Sequence, residues 1–148
     1  MTKETLRIEQ ITEASTIFSA LESVADSFYN QTVDRRKLAE KLTHHGIVSV
    51  GFVDDALAGV IGYYANDRTS KTAFLSVLVI QKEFQNCGIG SALLERFLND
   101  AKCRGMQSCK LEVDIRNEKA IAFYRRKGFH QDESARNHSC YYVKQLIT

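Results

Sequence analysis

The sequence predicts an α/β domain of the α+β type, built on one mixed sheet with helices on its faces. Stretches with the strand period and stretches with the helical period interleave along the chain. The almost wholly apolar run TAFLSVLVI at 72–80 indicates a central strand, and a strand–helix–strand segment begins with it. This segment implies a locally parallel pair, whereas hairpins on either side imply antiparallel pairing. We therefore expect about six to seven mostly antiparallel strands and about four helices.

Size and composition indicate a single globular domain over residues 1–148. The chain has 44% hydrophobic and 26% charged residues, which is ordinary for a soluble domain. Its formal net charge of +2 is too small to indicate nucleic-acid binding. No apolar run approaches the roughly 18 residues of a membrane span, and charges occupy the amino terminus where a signal peptide is apolar. We expect neither a nucleic-acid nor a membrane partner.

The cysteine pattern favours a reduced, cytoplasmic protein without a metal. Cys87, Cys103, Cys109 and Cys140 form no Cys-x-x-Cys pair and have no histidine at ligand spacing. Neither a zinc site nor a disulfide framework is therefore expected.

The first half of the chain is predicted to contain two helices between strands. Alternation of apolar and polar residues over 6–11 indicates a strand, and an apolar stripe from 12 to about 29 indicates a helix. A second helix is expected over 34–42, with Asp34 as its N-cap. Two half-buried strands joined by an Asp-Asp turn fill 46–65 as a hairpin.

The second half is predicted to contain two helices and four strands. These elements follow one another over 72–80, 90–104, 109–115, 117–127, 129–133 and 139–146. Gly105 is a natural terminator of the first helix, Asn117 an N-cap of the second, and Gly128 its terminator.

A glycine-rich turn, QNCGIGS at 85–91, connects the buried strand to the first of these helices. A helix begins with unpaired backbone N–H groups, and glycines at Gly88 and Gly90 leave them accessible to an anion. The turn lacks the lysine of a Walker loop, and Leu93 stands where a dinucleotide fingerprint has its third small residue. The turn taken alone is consistent with an anion site or with a tight strand-to-helix connection.

A second block, NEKAIAFYRRKGF at 117–129, follows one strand later. Together the two blocks resemble the GNAT superfamily of N-acetyltransferases, in which Gln/Arg-x-x-Gly-x-Gly/Ala precedes Asn-x-x-Ala-x-x-Phe-Tyr-x-x-x-Gly-Phe. The matching residues are Gln85, Gly88, Gly90, Asn117, Ala120, Phe123, Tyr124, Gly128 and Phe129. Motif-level resemblance covers about residues 74–130, and the order of elements extends it over the whole chain.

The resemblance has departures in and before the glycine turn. Asn86 and Cys87 stand where the family often has glycine and a basic residue, and Lys82 stands where proline is common. Because backbone amides hold the phosphates, Asn86 is compatible with binding. The missing basic side chain at Cys87 weakens the expected site.

The resemblance implies acetyl-CoA as co-substrate, no metal, and direct attack by a primary amine of a small molecule or peptide in a ternary complex. It also implies that the central parallel strands splay apart, opening a gap between 74–80 and 109–115. The pyrophosphate would bind the glycine turn, and the pantetheine arm would run beside the strand end. The implied cofactor-binding residues are Leu78, Val79, Ile80, Gln85, Asn86, Cys87, Gly88, Ile89, Gly90, Ser91, Asn117, Ala120, Phe123, Tyr124 and Arg126.

Tyr124 matches the family's usual general acid. Its ordinary pKa of about 10 keeps the hydroxyl protonated at neutral pH, so that it can protonate the leaving thiolate. The competing interpretation is a core tyrosine, like its neighbour Phe123. Glu112 is the candidate general base, although relatives also release the proton through water. Arg125 and Arg126 are candidates either for the cofactor's phosphate or for neutralising the helix dipole.

Acceptor choice in the family is set by segments that here correspond to 22–36, 63–71 and 130–139. We expect Phe28, Tyr29 and Tyr63 to contribute aromatic walls to an acceptor pocket. A rival function is a module that senses acyl-CoA without turnover. The oligomeric state expected is a monomer or a homodimer.

Overall fold

The structure is a computed structural model and describes residues 5–134 and 138–146. Its strands are β1 (Leu6–Ile11), β2 (Ile47–Val53), β3 (Ala56–Tyr64), β4 (Thr72–Ile80), β5 (Ser108–Asp114), β6 (His130–Ser134) and β7 (Ser139–Gln145). Its α-helices are α1 (Ala14–Ser23), α2 (Arg35–His45), α3 (Ile89–Cys103) and α4 (Glu118–Arg126). In this described part, no helix is long and apolar enough to cross a membrane.

The strands form one mixed sheet in the order β1-β2-β3-β4-β5-β7-β6. Only β4 and β5 run parallel among the described strands, and the other neighbours are antiparallel. The predicted fold class is therefore confirmed, including its central parallel pair.

The parallel pair separates halfway along its length. Pairing of β4 with β5 runs from Thr72 opposite Ser108 to Leu75 opposite Leu111 and continues no further among the described residues. At that point the register with β3 skips Ser76, which is therefore an extra, bulged residue. Beyond the bulge, β4 stays paired to β3 while its other edge faces the gap. The predicted splaying of the two strands is confirmed.

The bulge also exchanges the faces of β4. Leu75 packs in the core cluster that lies under α3, whereas Val77 packs in the cluster under α1 and α2. Two cores therefore cover the two faces of the sheet. Phe97 of α3 anchors the first core, and Leu21 of α1 anchors the second, both fully buried.

The first helix is shorter than predicted. The expected helix over 12–29 ends at Ser23, and a short 3-10 helix over Ala25–Ser27 follows. Val24 leaves the helical conformation and is fully buried, and the chain then turns so that Phe28 also enters the second core. Val24 and Phe28 have the i, i+4 spacing of one helix face, so their apolar pattern predicted a longer helix although a 3-10 turn brings them into the same core.

Candidate active site

A cleft of about 950 Å³ opens where β4 and β5 part. Its walls come from the end of β4, the start of α3, one face of α4 and the loop after α1. The predicted cofactor residues that line it are Leu78, Val79, Ile80, Gln85, Asn86, Gly88, Gly90, Ser91, Asn117, Ala120, Phe123, Tyr124 and Arg126. The fold therefore brings both sequence blocks to a single cavity, within the size range of ligand sites.

The first turn of α3 presents free hydrogen-bond donors to this cleft. Gly88 is the N-cap with φ 85°, and no side chain caps the helix. The backbone N–H groups of residues 88–91 donate to no carbonyl or side chain in the described chain. The positive end of the helix dipole adds to these donors, so the turn suits an anion.

The departure from the family pattern at Asn86 has a conformational explanation. Asn86 has φ 64°, in the left-handed region that glycine adopts freely. Asparagine is the side chain that tolerates this region best, and therefore it can replace a glycine here. Left-handed residues at 86 and 88 curve the turn around its amides, an arrangement that favours anions.

The charged residues of the cleft favour a polyanion. Lys82, Lys119 and Arg126 line it, and Asp26 is the only carboxylate among the lining residues that the structure describes. Lys119 Nζ lies 3.4 Å from Gln85 Oε1, while Gln85 Nε2 donates to the carbonyl of Ile80 at 3.0 Å. Gln85 thus ties the glycine turn to the strand end and to α4.

The start of α4, unlike that of α3, is closed by its own side chain. Asn117 Oδ1 accepts from the Ala120 N–H at 3.3 Å, as the capping prediction required. About two turns after Asn117, Tyr124 packs edge-on between Phe123 and Phe129, with ring centroids 5.2 and 5.6 Å away. Burial raises the pKa of Tyr124 above its usual value. No described residue hydrogen-bonds its hydroxyl, which leaves that group available in the cleft.

Two predicted cofactor residues do not line the cleft. Cys87 is exposed, with Sγ 3.5 Å from the Gln85 carbonyl. Ile89 is buried in the core under α3. The side chains of these two positions therefore contribute nothing to the walls of the cleft.

Tyr63 and Glu112 lie outside the cleft. The Tyr63 hydroxyl donates to Asp100 Oδ2 at 2.6 Å, and its ring centroid lies 4.6 Å from that of Phe97. Tyr63 is thus a core residue under α3, whereas Phe28 and Tyr29 do line the cleft. Glu112 is half-buried opposite Tyr141 of β7, and it lines neither this cleft nor the two other main cavities of the described residues. Residues 135–137 of the expected acceptor segment lie outside the described residues.

The sequence analysis missed how the loop after α1 is held against the end of β4. Gln81 Nε2 donates to the Ser23 carbonyl at 2.9 Å, and Ser27 Oγ lies 3.5 Å from Gln81 Oε1. No sequence motif marks Gln81. Lys119 was also missed, although it stands inside the second sequence block, two residues after Asn117.

The chain belongs to the acetyltransferase (GNAT) family, whose model matches residues 8–129. The resemblance stated from the two sequence blocks is thereby confirmed.

Curated relatives match a shorter part of the chain. An N-acetyltransferase of Methanocaldococcus jannaschii is 33% identical over 84 residues, 57% of this chain and 35% of that protein. N-alpha-acetyltransferase 30 of Schizosaccharomyces pombe is 38% identical over 41% of each chain. The [ribosomal protein bS18]-alanine N-acetyltransferase of Escherichia coli is 35% identical over 45% of each. The matched segments thus span less than half the length of these relatives.

Solved structures share the fold over nearly the whole chain. The ribosomal-protein-S18-alanine N-acetyltransferase from Escherichia coli superposes with a TM-score of 0.81 at 17% identity, covering 97% of this chain and 96% of that one. The PaiA N-acetyltransferase from Thermoplasma acidophilum, in complex with coenzyme A, gives 0.76 at 21% identity over 94% and 99%. At sequence identities this low, the structural likeness shows that these chains share the fold and nothing more.

Proposed function

We propose that this protein is an N-acetyltransferase that transfers an acetyl group from acetyl-CoA to a primary amine of a small molecule or peptide. One observation carries the proposal, namely that the uncapped start of α3, the free edge of β4 and the Tyr124 side chain border one cleft. Relatives named as N-acetyltransferases of a ribosomal-protein alanine and of α-amines support an amine as acceptor.

The residues of the cleft fit coenzyme A. The amides of 88–91 would hold the pyrophosphate, because they are unpartnered in the described chain and lie at the positive end of α3. The backbone of β4 beyond Ser76 has an edge free of β5 with which an extended pantetheine arm can pair. Lys82, Lys119 and Arg126 supply positive charge for the remaining phosphate.

Acetyl-CoA, when bound, supplies an activated thioester. The chain's own contribution is to orient both substrates in the cleft and to keep a proton on Tyr124 Oη. Because burial raises the pKa of Tyr124, its hydroxyl stays protonated through the neutral range. Tyr124 is thus a donor suited to a leaving group that departs in the cleft. Glu112 lies away from the cleft, and we assign it no role in this mechanism.

The proposal is tested by measuring thiol release from acetyl-CoA with a panel of amines, comparing the wild type with Tyr124→Phe. Loss of the proton donor should lower kcat about a hundredfold, in the range of general acid catalysis, and leave the affinity for acetyl-CoA unchanged. Tyr141→Phe is the matched control, because Tyr141 lines none of the described cavities. It should keep the wild-type kcat.

Other results would contradict parts of this proposal. An unchanged kcat in Tyr124→Phe would remove Tyr124 as the acid, or show that chemistry does not limit the rate. Binding of acetyl-CoA without thiol release from any amine would favour the rival function of an acyl-CoA sensor. The cytoplasmic location and the monomeric or homodimeric state stay predictions.

A further inference from the structure

A second cavity, of about 490 Å³, adjoins the cleft at the carboxyl end of β5. Tyr29 and Gln31 line both cavities, so the loop after α1 forms the boundary between them. Asp114 and Arg116 close the second cavity on the β5 side, and His138 closes it at the start of β7. A small molecule that reaches from one cavity to the other would pass along Tyr29 and Gln31.

An arginine held in a fixed orientation stands in this second cavity. Arg116 Nε donates to Asp114 Oδ1 at 2.9 Å, and Arg116 Nη2 donates to Oδ2 at 2.6 Å. The Arg116 N–H also donates to Oδ1 at 2.8 Å. This two-point pairing fixes the guanidinium plane and leaves Nη1 without a partner among the described residues. The Arg116 side chain is 65% exposed, so this edge is accessible.

The carboxylate in this cavity is already neutralised. Hydrogen bonds from the Arg116 side chain, then from its backbone, lower the pKa of Asp114 to about 2, and the nearby His138 adds to the effect. Asp114 is the only acidic residue among the described lining residues. No carboxylate is left there to attract a polyamine, and the Arg116 Nη1 and His138 side-chain groups remain as hydrogen-bond donors, which suit an anionic group.

We propose that the acceptor is a small amine that also carries a carboxylate, and that the second cavity binds this carboxylate through Arg116 Nη1 with His138 beside it. This inference rests on the proposed function, because it places the acceptor's amine in the cleft. A guanidinium N–H binds a carboxylate more strongly than a hydroxyl or an amide, because the opposite charges of the two groups strengthen the hydrogen bond. Amino acids and related amino carboxylates belong to this class.

The test compares standard L-amino acids with their own carboxamides as acceptors. Thiol release from acetyl-CoA is followed for each pair, and kcat/KM is expressed per unprotonated amine, because the carboxylate itself changes the amine's pKa. We expect at least one amino acid to exceed its carboxamide by roughly tenfold or more, the effect of one hydrogen bond to a charged group.

Two variants locate the effect. Arg116→Gln should lower kcat/KM for the preferred amino acid by about tenfold to a hundredfold through KM, and should leave its carboxamide unchanged. Arg96→Gln is the control, since Arg96 is an exposed arginine of α3 that lies outside the acceptor segments and lines none of these cavities. It should match the wild type with every acceptor. The affinity for acetyl-CoA, measured by calorimetry, should be the same in all three proteins.

The inference is overturned if carboxamides react as well as amino acids, or if Arg116→Gln slows both alike. It is also overturned if acetyl-CoA binds and no carboxylated amine reacts. Failure of the proposed function gives a different result, because acetyl-CoA would then either not bind or release no thiol with any amine, with or without a carboxylate.

Discussion

The two ends of α3 have the same glycine conformation but differ in whether their backbone groups are hydrogen-bonded. Gly88 before the helix and Gly105 after it both have φ 85°, and a Cβ at either position would meet nothing within 4 Å. At the carboxyl end the chain satisfies its own carbonyls, since the Gly105 N–H donates to Lys102 at 3.0 Å and the Met106 N–H to Ala101 at 2.9 Å. At the amino end the corresponding donors have no partner in the described chain.

This difference separates a glycine whose conformation completes the end of a helix from one whose conformation leaves hydrogen-bond donors free beside a cleft. The left-handed conformation at Gly105 completes a helix, and the buried Met106 that follows it packs in the core. The same conformation at Gly88 leaves donors pointing at a cleft that carries more positive than negative side chains. The same φ therefore ends a helix beside the core at Gly105 and leaves N–H groups unpaired beside a cleft at Gly88.

The largest effect is expected from a carboxylate placed at each end of α3. Gly88→Glu should weaken acetyl-CoA binding at least a hundredfold, about 3 kcal/mol, because the new charge occupies the anion site. Gly105→Glu has the same charge and the same backbone strain, and it should bind like the wild type. Isothermal calorimetry gives both affinities. Equal losses in the two variants would mean that the effect is one of folding.

Alanine at the same two positions measures the strain alone. Gly88→Ala and Gly105→Ala should each lower the free energy of unfolding by about 1–2 kcal/mol, because a Cβ disfavours the left-handed conformation and no neighbour is close enough to add a clash. Urea denaturation provides the comparison. A much larger loss at one end would show that the two glycines are not equivalent in the fold.

How much the sequence predicted depends on whether the information is local. The glycine turn, the Asn117 cap and the helix-ending glycines Gly105 and Gly128 follow from chemistry within a few residues, and the structure has them at the expected places. Tyr63 was assigned to an acceptor pocket because aromatic side chains cluster there in the sequence. Which face of β3 it occupies depends on pairing across the sheet and on the bulge at Ser76, and neither is visible in the sequence.

The same limit explains the second cavity. The Asp114–Arg116 pair is close in sequence, but His138 and Tyr29 reach it only through the fold. Gln81 likewise acquires its role from a loop that lies 58 residues earlier in the chain. Sequence patterns therefore predicted the residues that line the cleft better than those that line the second cavity.

The start of α4 differs from that of α3, because the Asn117 side chain caps the helix by accepting from the Ala120 N–H. Asn117→Ala should cost about 1 kcal/mol of unfolding free energy, since the Ala120 N–H loses its cap. Asn117→Asp, which keeps an acceptor oxygen, should lose less. If alanine and aspartate are equally stable, the hydrogen bond at 3.3 Å contributes nothing measurable.

The smallest effect is expected from a single cation of the cleft. Lys119→Gln should weaken acetyl-CoA binding about threefold, the size typical of one exposed charge, and should reduce the salt dependence of binding. Lys102→Gln, at the opposite end of α3, is the matched control and should change neither quantity. Acetyl-CoA affinities are measured at low and high salt. The same affinity and the same salt dependence in Lys119→Gln and Lys102→Gln would contradict a role for Lys119 in binding.

The most direct test is an NMR titration of ¹⁵N-labelled protein with coenzyme A, following the backbone amides at both ends of α3. We expect large shifts for residues 88–91 and none for residues 104–106. Pantetheine, which lacks the pyrophosphate, should leave both groups almost unchanged. Binding of coenzyme A without any shift at 88–91 would contradict the assignment of the α3 amino end as the pyrophosphate site.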